Sequence, residues 1–245
     1  MNTYAQTDVG KTRDVNEDAV LATVVDDVAL LIVADGMGGH AAGDVASEMA
    51  VEQIEDEVLD GLNSGHADYE RLLGSAITAA NRRICDAAAA DTSLSGMGTT
   101  VVAALIDETS ALVATVGDSR CYHIDDELTQ VTTDQSLVQE LVEAGEITQA
   151  EAREHPQRNV VSQALGTTED VSPDFYRFTP TGVVLLCSDG LSEEVKPSAL
   201  QQLVTAHSSL SATADALINR ANENGGSDNI SVVLGKSVAD PPERE

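Results

Sequence analysis

The order of strands and helices is the strongest constraint on how this chain folds. Ala19–Val25 and Val28–Ala34 are apolar runs split by Asp26-Asp27, the pattern of a hairpin of buried strands. A helix is expected next, because Val45, Met49, Ile54 and Val58 share one helical face. A second helix follows it directly, with Leu73, Ile77, Ala80, Ile84 and Ala88 at spacings of three and four. No strand intervenes until about residue 98. Thr99–Ile106, Ala111–Val116, Arg120–Ile124 and Glu127–Val131 then read as a meander with short turns. Residues 135–155 read as polar helix broken at Gly145, and Val183–Ser188 as another buried strand. Helices near 197–206 and 211–224 and a strand over Ile230–Leu234 complete the pattern. Strands and helix pairs in separate runs predict an α+β fold of antiparallel sheets with helices packed outside, and exclude alternating βαβ units.

Composition supports a real core and narrows the partners. Hydrophobic residues make up 42% of the 245, but aromatics only 2%, so the core is expected to be built from Val, Leu, Ile and Ala. The formal net charge is −29, with acids spread along the chain and lysine confined to Lys11, Lys196 and Lys236. Such a surface repels nucleic acid and anionic membranes, so neither is expected as a partner. It also repels itself unless salt screens it, which predicts a salt-accumulating, halophilic source. Cys85, Cys121 and Cys187 have no metal-site spacing and read as reduced thiols. The N-terminal MNTYAQTDVG has neither a charged n-region nor an apolar h-region, and Val28–Ala34 is too short to span a bilayer. A cytoplasmic monomer is expected, with one domain over residues 1–236 and a short loose tail over 237–245.

Four aspartates sit just past or before apolar strands: Asp35 after LLIVA, Asp118 after LVATVG, Asp189 after VLLCS and Asp228 before NISVVL. Glu17-Asp18 precedes the first apolar run. One acid at a strand end is an ordinary turn starter. Four of them, each flanked by Gly or Ser, suggest a convergent pocket of carboxylates that cations must fill. Hard oxygen ligands suit Mg²⁺ or Mn²⁺ rather than zinc. Two such cations about 4 Å apart share a water and lower its pKa from near 15.7 towards 7. Arg13 is the candidate anchor for a phosphate, since its fork binds two oxygens at once; the competing reading is a surface pair with Glu17.

Gly36-Met37-Gly38-Gly39-His40-Ala41 also fits the glycine-rich dinucleotide fingerprint. That motif needs a parallel strand directly after its helix, and here a second helix follows. The glycines are better read as a tight turn that lets the Gly36 carbonyl face a metal beside Asp35. His40 is either a proton donor to a leaving group or a helix-start residue, and His155, beside Pro156, reads as a loop residue. Cys187 lacks the arginine six residues on that a cysteine phosphatase needs, Glu193 standing there, so it reads as a small buried strand residue.

In order, the motifs TDVGKTRDVNEDA, VADGMGGHAAG, GMGTT, VGDSR, HPQRNVVSQALG, CSDGL and SDNIS run from about Thr7 to Leu234. In these the chain resembles the PPM family of metal-dependent protein phosphatases (protein phosphatase type 2C), in its compact bacterial and archaeal form. The resemblance implies a four-layer α-β-β-α sandwich, with two central antiparallel sheets flanked by helix pairs. It implies removal of phosphate from serine and threonine side chains of proteins, the targets of Ser/Thr kinases or the kinases themselves. It further implies in-line attack by a hydroxide held between two Mg²⁺ or Mn²⁺ ions, with no phosphoenzyme. Carried over by motif, Asp35 bridges both metals, the Gly36 carbonyl holds one, and Asp189 and Asp228 hold the other. Glu17 and Asp18 support the centre, Arg13 grips the phosphate, and Asp118 with Asp189 resembles a third, weaker metal site. Residues near 140–165 resemble the mobile flap of the family. Two positions depart from the pattern: Met37 stands where many eukaryotic members carry a histidine, and Asp134-Gln135-Ser136 replaces the expected DHS. A non-catalytic phosphoprotein-binding relative would be expected to lack some of the four aspartates, and all are present. The alternatives are such a catalytically weak, phosphoprotein-binding relative and a phosphatase dedicated to small molecules or to one regulatory partner.

Overall fold

A computed structural model describes residues 1–38, 42–65 and 68–236. The chain starts with β1 (Asn2–Asp8), then the hairpin β2 (Asp18–Val25) and β3 (Val28–Met37). Two long helices follow, α1 (Gly43–Asn63) and α2 (Tyr69–Ala90). After a short 3-10 turn at Thr92–Leu94 come β4 (Gly98–Thr99), β5 (Val101–Ile106), β6 (Ala111–Val116), β7 (Arg120–Ile124) and β8 (Leu128–Gln130). An excursion carries α3 (Leu137–Glu143) and α4 (Gln149–Arg153) and returns as β9 (Asp174–Phe178). The last part holds β10 (Val183–Cys187), α5 (Asp189–Ser192), α6 (Pro197–Ala206), α7 (Leu210–Asn224) and β11 (Ile230–Lys236).

The strands form two antiparallel sheets, ordered β1-β11-β10-β7-β8 and β2-β3-β5-β6-β9, with β4 added on β3. The expected meander is therefore corrected. β5 and β6 pair in one sheet and β7 and β8 in the other, so the chain changes sheet at Gly117-Asp118-Ser119. Short polar turns look alike in sequence whether they join neighbours or cross between layers. β1 was not expected either: it is polar, only partly buried, and paired with β11 from the far end of the chain. β9 is likewise a half-exposed edge strand, with pattern DFYRF.

Strand alternation makes the four layers. In β3, Leu30 and Ile32 face α1 and α2, while Ala29, Leu31 and Val33 face the other sheet. On the opposite side, Leu185, Cys187, Val232 and Leu234 pack beneath α6 and α7 through Leu200, Leu217 and Ala221. Between the sheets lie Leu31, Val33, Val102, Ala104, Val184, Leu186 and Val233, all essentially inaccessible. Each such aliphatic side chain contributes about 1.5–3 kcal/mol on burial. The result is the α-β-β-α sandwich. Among the described residues, no helix is long and apolar enough to cross a membrane.

Candidate active site

The apolar layer between the sheets does not continue to both ends. Following each inward-facing row to one end of the sandwich, the side chains turn polar at the same level. Leu31 and Val33 are succeeded by Asp35, Val20 is preceded by Asp18, Leu186 gives way to Ser188, and Val233 is preceded by Ser231. Val102 and Cys121 have Thr100 and Ser119 as their counterparts. Asp18 and Asp35 are direct cross-strand partners in the β2–β3 hairpin. Asp35 lies inside β3 rather than after its end, and Asp18 is the first residue of β2 rather than a residue before the first strand.

The second sheet supplies the facing half. Asp189 opens α5 directly after β10, and Asp228 lies just before β11. Asp118 sits at the crossing between the sheets. Ser188 Oγ donates to Asp18 Oδ2 at 2.8 Å, tying the layers together, and Thr100 Oγ1 and Ser119 Oγ share a hydrogen bond of 2.8 Å. Asp35 is fixed through its backbone, its N–H donating to Thr100 Oγ1 and its carbonyl accepting from Thr99 Oγ1 and Thr100 N.

The carboxylates disturb one another. Asp35 is held well above the usual carboxylate range, first by desolvation and then by Asp18, Asp189, Asp118 and Asp228. Asp189 is raised in the same way by desolvation, then Asp118 and Asp228. Burial pushes Asp18 to about 6, against the opposing hydrogen bonds of Ser231 and Ser188. Asp118 is pushed to about 7 by burial and by Asp134, with Arg120 opposing. One oxygen each of Asp18 and Asp189 is buried without a hydrogen-bond partner. Such an arrangement is costly without compensation by cations or protons. Among the described residues, no three His, Cys, Asp or Glu side chains form a ready-made metal-ligand cluster.

Arg13 lies in the loop between β1 and β2. Its guanidinium donates to Asp228 Oδ2 at 2.8 Å, so its partner is Asp228 and not Glu17. The loop itself is held by Asn229. Its amide donates to the carbonyls of Val9 and Val15 at 3.0 Å, and its Oδ1 accepts from the Glu17 N–H at 2.8 Å. Gly36 is required by contact rather than by a turn. It is extended within β3, and a Cβ there would lie 2.1 Å from the Gly43 carbonyl oxygen and 2.4 Å from that of Glu17. A Cβ at Gly190 would lie 2.0 Å from the Asn229 carbonyl oxygen, so α5 is docked backbone to backbone against the approach to β11. His40 lies outside the described residues.

The sequence pattern pointed to the acids and missed what holds them. Asn229, Ser188 and Thr100 are the positioning residues. Each is a direct neighbour of an aspartate or of a glycine-threonine pair in the motifs SDNIS, CSDGL and GMGTT, which was the available signal. His155 lies in a loop, and Cys187 is buried in β10, as expected.

Comparison with known proteins identifies the family. Residues 8–235 match the family described as Protein phosphatase 2C. The chain is 41% identical over 239 residues to the serine/threonine phosphatase stp of Listeria welshimeri, covering 96% of this chain and 95% of that protein. Among solved structures, it resembles the serine/threonine phosphatase Stp1 of Staphylococcus aureus with TM-score 0.88 at 34% identity, over 97% of this chain and 95% of that one. It also resembles the catalytic domain of the serine/threonine protein phosphatase PstP in complex with two manganese ions. That TM-score is 0.82 at 36% identity, over 95% and 96% of the two chains.

Proposed function

The chain belongs to the protein phosphatase 2C family and is a serine/threonine phosphatase, and from that premise we propose how its own residues perform the hydrolysis. Residues 1–236 act as one catalytic domain on phosphoserine and phosphothreonine of proteins, in the cytoplasm and as a monomer. The substrates are targets of Ser/Thr kinases or the kinases themselves. Asp35, Asp189 and Asp228 with the Gly36 carbonyl hold two Mg²⁺ or Mn²⁺ ions, supported by Glu17 and Asp18. Asp118 with Asp189 holds a third, weaker ion. The fit rests on this chain's own chemistry: a set of hard oxygen donors, mutually repelling, with two buried oxygens left unpartnered. When bound, such ions supply positive charge and a water acidified enough to attack at neutral pH.

The remaining steps belong to the protein. Arg13 is half exposed, so its fork can leave Asp228 and hold two phosphoryl oxygens in line with the attacking water. Two side chains beside the acids that could compete as nucleophiles are poorly placed to do so. Cys187 is buried in β10 with its thiol pushed up to about 12 by burial, and Ser188 is committed to Asp18. Both features support the proposed direct hydrolysis without a phosphoenzyme. The leaving-group proton comes from His40 or from solvent in the cleft, since Met37 carries no proton to give.

The observation that carries this reading is the replacement of the inter-sheet apolar rows by polar side chains at a single end, where Asp18 and Asp35 of one sheet lie close to Asp189 and Asp228 beside the other. It is tested by hydrolysis of a phosphothreonine peptide in molar KCl with Mn²⁺ and then with excess EDTA. Turnover that needs Mn²⁺ and stops with EDTA is expected; metal-independent turnover, or none in folded protein, would overturn it. Repeating the assay in dilute buffer, where loss of structure is expected, tests the salt-adapted reading of the −29 charge.

A further inference from the structure

A cavity of about 850 Å³ opens beside the carboxylates, and Asp118 and Asp189 form part of its wall. Its far side is made by the α3–α4 excursion and by the segment joining α5 to α6. In a chain with 13 lysines and arginines against 42 acids, four of the cations line this one cavity: Arg120, Arg153, Arg158 and Lys196. Two of them are already engaged. Arg120 is clamped on Asp134 by bonds of 2.6 and 2.8 Å, and Arg158 approaches Glu193 at 3.4 Å. Among the described residues, Arg153 and Lys196 have no ion-pair partner.

Local structure gives Lys196 no reason to be there. It is the N-cap of α6, makes no side-chain capping bond, and places positive charge at the positive end of the helix dipole. Serine or aspartate would stabilise that position; lysine disfavours it. Arg153 ends α4, where a cation suits the dipole, but its helix is held in a set orientation. Thr148 and Glu151 form a capping box, and Gln149 donates to Gln139 of α3 at 3.2 Å. The acids of the same wall are accounted for in part: Glu193 faces Arg158, and Glu194 accepts from Ser227 Oγ at 2.7 Å. Glu154 is exposed beside Arg153.

We propose that Arg153 and Lys196 form a specificity subsite for a second anionic group on the substrate chain, a few residues from the phosphate being hydrolysed. The proposal rests on the phosphatase reading of the adjoining carboxylates. In a protein whose surface otherwise repels acidic segments, this wall selects substrates in which the target residue is accompanied by acidic side chains or by another phosphate. Both carry the same chemistry, an oxyanion that accepts charge-assisted hydrogen bonds.

The test uses three phosphothreonine peptides of equal length at fixed ionic strength: one with neutral flanks, one with glutamates stepped one to five residues away, and one with a non-hydrolysable phosphonate residue at those positions. The wild-type protein is expected to show kcat/KM higher by about fivefold for the best glutamate peptide and about tenfold for the phosphonate. In Arg153→Gln/Lys196→Gln the anionic-to-neutral ratio should fall to about one. A preference for the phosphonate alone identifies a second phosphate as the occupant; a preference for both identifies any acidic residue. Equal kcat/KM for neutral and anionic peptides in wild type, or a ratio kept by the double variant, overturns the subsite. Fluorescence anisotropy with a peptide carrying phosphonate at both positions reads binding without turnover. Charge-dependent binding with no hydrolysis of any peptide would sink the phosphatase reading while supporting the subsite, and charge-independent binding would sink the subsite alone.

Discussion

The middle of the sandwich and its open end are built by the same strands and obey opposite rules. In β3, Ala29, Leu31 and Val33 fill the gap between sheets, and Asp35 occupies the next inward position of the same row. At the middle, every inward side chain gains by leaving water. At the end, Asp18, Asp35, Asp118 and Asp189 are each harder to ionise than a free carboxylate. The comparison teaches that the site is a defect in an otherwise continuous apolar layer, carried by the stability of the rest.

The largest effect that would sharpen this contrast comes from Asp35→Asn. Activity on a phosphothreonine peptide should fall by roughly a thousandfold or more. In EDTA at neutral pH the variant should melt no lower than wild type by calorimetry, because a repelling carboxyl has gone. Near-normal turnover, or a clear loss of metal-free stability, would break the comparison. Leu31→Ala is the opposite case. It should cost about 2–5 kcal/mol in denaturant unfolding while kcat of the folded protein stays the same. A selective loss of kcat would mean that core and site are not separable.

The smallest effect is on pH. Asp18 and Asp118 titrate near 6 and 7 in the folded protein and near 3.8 when unfolded. Between those values the folded state binds more protons, so their contribution to metal-free stability is complete below about pH 4 and is lost as pH rises through 6 to 7. Divalent ions compete with the same protons, so their stabilising effect should grow over that window. Melting in EDTA at pH 5 and pH 8, compared between wild type and Asp18→Asn/Asp118→Asn, isolates this term from the rest of the acidic surface. An equal pH dependence in both proteins would remove these two carboxyls from the account.

Much of this was legible in the sequence, for physical reasons that also mark where reading stopped. The hairpin β2–β3 and helices α1, α2, α6 and α7 announce themselves because each buries one face or both, leaving a periodic apolar signal. β1 and β9 lack that signal, being half-exposed edge strands. The sheet change at Gly117–Ser119 leaves no local mark, since only pairing partners far along the chain define it. The same limit applies to the site. Asp35, Asp189 and Asp228 could be picked out by their strand-end settings, whereas the contact of Arg13 with Asp228, 215 residues apart, belongs to tertiary structure. Asn229 was hidden because a buried amide that ties three backbone groups looks, in sequence, like any loop asparagine.

The first strand is zipped along its whole length to the eleventh, with Asp8 opposite Ile230 and Asn2 opposite Lys236. On the ribosome these partners are made at opposite times. A nascent chain that already displays Arg13, Asp18 and Asp35 still lacks Asp228, the asparagine that fastens the arginine loop, and the strand on which its own beginning must lie. This sheet therefore closes only when synthesis is nearly complete, and a chain cut short before β11 is left with β1 unpaired.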